Sequence, residues 1–165
     1  MRIIICDTGP VLHLREVKAL HLLAVAGDVL IPMAVDTELH DKIPSWPKER
    51  PSWLRVERLT PEEAIAAARW LSSGELDAGE AEAVAMAQSR RPDWLLTDDA
   101  AARLFASLMG LEVHGSLGVV LWAAAAGHLT HAEAHAILSR FARSSFWISE
   151  QIISLARKTL DDLAR

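Results

Sequence analysis

The chain has 165 residues, 51% hydrophobic and 24% charged, a balance suited to one soluble domain spanning 1–165 with its own core. A net charge of −5 excludes a broad basic surface, so any binding of nucleic acid must run through a local patch or through metal ions. The single Cys6 excludes an intramolecular disulfide and a cysteine zinc cluster. No apolar run is long enough for a membrane span and the N-terminal run is too short for a signal peptide, which makes the cytoplasm the expected compartment.

The chain opens on Ile3-Ile4-Ile5-Cys6, a β-branched run that climbs into Asp7-Thr8-Gly9-Pro10. It predicts a buried strand that stops at the acid. Cys6 inside it reads as a small core residue. An acid in that place is either the first ligand of a site or a turn former, and the strand alone does not decide between them.

Residues 11–26 carry a mixed helical pattern, read as two short helices closed by Gly27-Asp28. Val29-Leu30-Ile31 is a second buried strand stopped by Pro32, which suits the first turn of a helix through Val35, Glu38 and Leu39. Residues 43–53 hold Pro44, Pro47 and Pro51 with Trp46 and Trp53, and read as a long aromatic loop. Residues 54–59 alternate apolar and charged side chains, as in a short edge strand. Thr60-Pro61-Glu62-Glu63 is a capping box opening a helix to about Leu71.

Asp77-Ala78-Gly79-Glu80 then opens an Ala-rich helix over 81–88. Trp94-Leu95-Leu96-Thr97 is a third strand ending at Asp98-Asp99, followed by a helix over 100–109 closed by Gly110. Leu111-Glu112-Val113 reads as a fourth strand. Gly115-Ser116-Leu117-Gly118 leads into a helix over 119–126, and Thr130-His131-Ala132-Glu133 is another capping box for a helix to about Phe141. Phe146-Trp147-Ile148 reads as a last short strand before an amphipathic helix that runs to the C-terminus. Strands alternating with helices predict a three-layer α/β/α sandwich around a central parallel sheet of four to five strands.

The acids fall in a pattern. Asp7 ends the first strand, Glu38 lies about a turn after the second, Glu80 sits in the first turn of the Ala-rich helix, and Asp98 and Asp99 end the third strand. Each has a structural explanation of its own, as a helix cap, a favourable charge at a helix N-terminus or a solvated position. Their arrival at one edge of one sheet favours a functional cluster. Clustered carboxylates raise each other's pKa unless a cation joins them. Mg²⁺ or Mn²⁺ suits an oxygen-only ligand set and supports phosphodiester hydrolysis. Gly9 occupies the place where a dehalogenase-like phosphatase needs a second Asp, and Asp-Thr-Gly-Pro is not the Gly-rich turn of a dinucleotide-binding domain.

In its ordered motifs the chain resembles PIN-domain proteins, and within them the VapC-type toxins. The motifs are Ile5-Cys6-Asp7-Thr8-Gly9-Pro10, then Ile31-Pro32-x-x-Val35-x-x-Glu38-Leu39, then Leu76-Asp77-x-Gly79-Glu80-Ala81-Glu82-Ala83. Leu95-Leu96-Thr97-Asp98-Asp99 with Arg103 follows, and Val113-x-Gly115-Ser116-Leu117-Gly118 comes last. The resemblance implies a metal-dependent endoribonuclease acting on RNA, the toxin of a toxin–antitoxin pair, with an antitoxin partner and a homodimeric state. It implies Mg²⁺ or Mn²⁺ held by Asp7, Glu38, Glu80 and one of Asp98 and Asp99, with Thr8 and Thr97 supporting them. Family spacing after the threonine favours Asp99; the strand-tip position favours Asp98. Asp77 is either a further ligand or a helix cap, and the cap is favoured. A catalytically weak PIN module that binds RNA or a protein is the alternative.

Arg15, Lys18, Lys42, Lys48 and Arg50 are the cations nearest the expected site mouth. Trp46 and Trp53 can stack on bases, but packing or a partner contact is favoured for them. His128, His131 and His135 have spacings that let them share a helix face, yet they lack a zinc-protease motif and read as surface histidines.

Overall fold

The computed structural model describes residues 1–164; Arg165, the last residue of the expected domain and of its final helix, lies outside the described residues. The chain runs β1 (Ile3–Cys6), α1 (Thr8–Glu16), α2 (His21–Ala26), β2 (Asp28–Pro32), α3 (Met33–Lys42), α4 (Trp46–Glu49) and β3 (Leu54–Glu57). It continues through α5 (Pro61–Ser73), α6 (Ala78–Arg90), β4 (Trp94–Leu96), α7 (Ala100–Leu108), β5 (Val113–His114), α8 (Ser116–Ala125), α9 (His131–Phe141) and α10 (Glu150–Leu163).

The five strands form one parallel sheet in the order β3-β2-β1-β4-β5. Ile5 of the central strand sits beside Leu30 on one side and Leu95 on the other. Strand alternation sends Ile4, Cys6, Val29, Ile31 and Leu96 to one face and Ile5, Leu30 and Leu95 to the other. Residues of α1, α2, α8, α9 and α10 cover the first face, joined by Val35 and Leu39 of α3. Alanines of α5, α6 and α7 cover the second, small side chains that let these helices lie close to the sheet. This is the expected α/β sandwich. After β1 the chain moves to β2 on one side and later to β4 on the other, so the strand order reverses beside β1. Crevices that bind ligands open outside the carboxyl ends of strands at such a reversal.

Helix starts follow the sequence signals. Thr60 and Glu63, and Thr130 and Glu133, form reciprocal capping boxes. Five elements depart from the expected pattern. The fourth expected strand, 111–113, lies instead at Val113–His114 as β5. Gly110 has φ +76°, and Leu111 N–H bonds back to Ala106 O at 3.2 Å, so Leu111 closes the end of α7. Helix α6 spans Ala78–Arg90, earlier than its apolar run suggests, because the Asp77 cap sets its start, and α8 begins at Ser116, where Gly115 offers no side-chain cap and the Ser116 N–H is taken by Asp98 instead. The aromatic loop contains the short helix α4. Residues 146–148 are not a strand: the Phe146 ring stacks on His13 at 4.4 Å, so its apolar character serves packing across the sheet edge. Trp46 is buried and donates from Nε1 to Asp36 at 2.9 Å, while Trp53 packs against the core, so both serve packing. No helix among the described residues is long and apolar enough to cross a membrane.

Candidate active site

Asp7 follows β1 at the centre of the sheet. Its backbone N–H donates to Leu96 O at 2.9 Å, which extends the β1–β4 pairing one step beyond the strand. Its carboxylate is the N-cap of α1: Oδ1 accepts from Thr8 N–H at 2.7 Å, and Oδ2 accepts from the Thr97 hydroxyl at 2.9 Å. The side chain is buried. Burial pushes its carboxyl up to about 7 despite these hydrogen bonds, and the charges of Glu80 and Asp77 push the same way.

Glu38 projects from α3 and is held across two other elements. Oε1 accepts from Gly79 N–H at 2.8 Å. Oε2 accepts from the Thr8 hydroxyl. Gly79 is needed for this approach, since a Cβ there would lie 2.5 Å from Glu38 Oε2. Glu80 and Asp77 form a reciprocal capping box: Asp77 Oδ1 accepts from Glu80 N–H, and Glu80 Oε2 accepts from Asp77 N–H, both at 3.0 Å. Asp77 is therefore the helix cap. Burial pushes Glu80 up to about 7, with repulsion from Asp77, Asp99 and Glu38 adding to it.

The two acids after β4 differ. Asp98 is fully engaged: Oδ1 accepts from Ser116 N–H at 2.6 Å, while Oδ2 accepts from the Ser116 hydroxyl at 2.5 Å and from His13 Nδ1 at 2.7 Å. A Cβ at Gly115 would lie 2.8 Å from Asp98 Oδ1, so glycine permits this contact. Asp99 caps α7, accepting from Ala102 N–H through Oδ1 at 2.8 Å. It is exposed, and it is the one of the pair that repels Glu80.

Asp7, Glu38, Asp77, Glu80, Asp98 and Asp99 all line one cleft of about 600 Å³. Every sequence-expected acid is thus brought to one place, and Thr8 and Thr97 bind carboxylates there as hydroxyl donors. Lys42 lines the same cleft. Arg15 instead pairs with Glu49 at 2.5 Å, and Arg50 with Asp36 at 3.0 Å.

The family model for DUF3368, a PIN domain, matches residues 3–162. The chain belongs to the PIN-domain family. No curated protein and no solved structure matches it. PIN domains are generally nucleases and typically use divalent metal ions. The donors in this PIN domain fit such an ion: they are carboxylate oxygens alone, hard ligands, and two of them have raised affinity for a positive charge.

Sequence reasoning missed His13, Ser116, Phe146 and Trp147. His13 lies 85 residues from its partner Asp98, and no local pattern links them. Ser116 lies in the Gly115-Ser116-Leu117-Gly118 segment, and its place before a helix is the signal for a hydroxyl at a helix N-terminus. Trp147 is 98% exposed and lines the cleft beside Ser145 and Phe146.

Proposed function

We propose that this PIN domain is a metal-dependent endoribonuclease that hydrolyses RNA phosphodiester bonds, and that it acts in the cytoplasm as the toxin of a toxin–antitoxin pair. The observation that carries the catalytic part is the convergence of Asp7, Glu38, Glu80 and Asp99 on one cleft with no cationic side chain among the described residues paired to any of them, and with Asp7 and Glu80 pushed to about 7. Such a group of carboxylates is a binding site for a divalent cation, Mg²⁺ or Mn²⁺.

In this reading Asp7, Glu38, Glu80 and Asp99 are the ligands. Asp98 is a positioning residue, since it takes three contacts, from the Ser116 N–H, the Ser116 hydroxyl and the His13 ring, where Asp7 and Glu38 each take two and neither has an imidazole partner. Thr8 ties α1 to Glu38, and Thr97 ties β4 to Asp7, so the ligands are held rigid before substrate arrives. The bound ion supplies activation of a water at neutral pH and neutralises charge on the scissile phosphate. Lys42 adds a contact to phosphate, and the exposed Trp147 offers a face on which an unpaired base stacks. The toxin role, the antitoxin and the homodimer rest on the VapC-type resemblance. Exposed Leu104 and Leu108 on α7 supply the kind of apolar surface such contacts need.

Cleavage of RNA with Mn²⁺, with EDTA, and by Asp7→Asn tests the proposal. Cleavage that needs the metal and Asp7 supports it. No cleavage under any metal condition sinks it, and RNA binding that survives both chelation and Asp7→Asn then favours the binding module.

A further inference from the structure

A second cluster lies between α9 and α10. His131 opens α9, His135 follows one turn later, and Asp161 sits near the end of α10. Nε2 of His131 and Nε2 of His135 each lie 2.9 Å from Asp161 Oδ1, and 3.2 Å from each other. His128, which spacing alone placed on the same face, packs instead against Trp122 with ring centroids 5.3 Å apart.

These three contacts cannot all be hydrogen bonds. An imidazole Nε2 carries one proton or one lone pair, in the plane of its ring. If both rings donate to Asp161, two N–H groups face each other. If one ring accepts from the other, that same atom no longer donates to Asp161. A cation at a shared apex resolves the conflict, because all three atoms then present lone pairs to it. The triangle also has the right size: ligands about 2.0–2.1 Å from a tetrahedral Zn²⁺ are about 3.3 Å apart, close to the observed edges.

We propose that His131, His135 and Asp161 form a binding site for a Zn²⁺-class transition-metal ion that pins the α9–α10 pair. Two imidazoles and a carboxylate prefer such an ion to Mg²⁺, whereas the oxygen-only cleft prefers Mg²⁺ or Mn²⁺, so the two sites differ in chemistry. Their side chains are 47%, 26% and 53% exposed, which leaves the fourth position to water. The site closes the pair at the end opposite the 142–149 connection, which carries Phe146 and Trp147 to the acid cleft. It stands or falls independently of any nuclease activity.

The test is Zn²⁺ binding by the full chain with Mg²⁺ in large excess, together with the visible spectrum of the Co²⁺ form. The expected result is one Zn²⁺ bound, intense tetrahedral Co²⁺ bands, and a melting temperature raised by about 5–10 °C at 100-fold excess over Kd. His135→Ala and Asp161→Asn should each weaken Zn²⁺ binding at least ~100-fold with circular dichroism unchanged, since loss of a ligand costs more than loss of an outer partner. Asp7→Asn should bind Zn²⁺ as wild type does. Equal affinity in wild type and both α9–α10 variants overturns the proposal, as does a weak octahedral Co²⁺ spectrum.

Discussion

Glu63 and Asp7 are the two most deeply buried carboxylates among the described residues, 2% and 5% exposed, and their surroundings differ in kind. Glu63 sits where α5 and α6 meet. Arg90 grips it with two contacts, Nε to Oε1 at 2.9 Å and Nη2 to Oε2 at 3.1 Å. Burial alone would raise its carboxyl, yet the Arg90 and Thr60 hydrogen bonds outweigh it and hold it below the ordinary value. Asp7 has only neutral donors, a backbone N–H and a hydroxyl, and more carboxylates around it; its carboxyl rises to about 7. The chain neutralises a buried acid with arginine where only structure is at stake. In the cleft it leaves the charge open, which is the arrangement a site for an added cation requires.

The contrast can be broken in several places. The largest effect is expected from Asp7→Asn, which should lower metal-dependent RNA cleavage by about 1,000-fold, a size typical for loss of one preorganised group, while the metal-free melting temperature stays the same or rises. Single-turnover cleavage and a thermal melt check both halves. A pH effect comes next. The folded value of Asp7, about 7, lies above its unfolded value of 3.8, so between them the folded state holds more protons. Without metal, the Asp7 contribution to stability is fully present below pH 4 and is lost as pH rises through about 7, about 4 kcal/mol in all. Glu80 acts in the same direction. Urea denaturation at pH 5 and pH 8 in EDTA measures it.

Arg90→Ala should act in the opposite sense. It strands the buried Glu63 and should cost about 2–3 kcal/mol of stability, discounted for the partial exposure of Arg90, with cleavage per folded molecule unchanged. The smallest effect is expected from Gly79→Ala. Its Cβ would meet Glu38 Oε2 at 2.5 Å and push that carboxylate aside, lowering cleavage about 10- to 30-fold with the fold intact. Unchanged activity would mean that the position of Glu38 does not matter.

Much of this was legible in the chain. β1, β2 and β4 announce themselves as short apolar runs between turn residues, and the acids stand just beyond them, because a buried strand must stop before a carboxylate. Asp77, Thr60 and Thr130 declare their helices by caps that act within four residues. What stayed hidden acts over distance or reuses apolar side chains. Leu111 and Phe146 look like strand residues, but one closes a helix end and the other stacks on His13. The split between Asp98 and Asp99 depends on Ser116 and His13, which reach the site from α8 and α1. The cluster of His131, His135 and Asp161 was half visible, since the histidine spacing is local and the aspartate arrives from the next helix.

The most direct measurement is the melting temperature with and without Mn²⁺ at pH 5.5 and pH 8, for wild type and Asp7→Asn in the His135→Ala background, which removes the second cluster. If the cleft carboxylates await a cation, Mn²⁺ raises the wild-type melting temperature far more at pH 8, where Asp7 and Glu80 are ionised, than at pH 5.5, and Asp7→Asn loses most of that gain. A Mn²⁺ shift that is the same at both pH values, or the same with Asn at position 7, contradicts it.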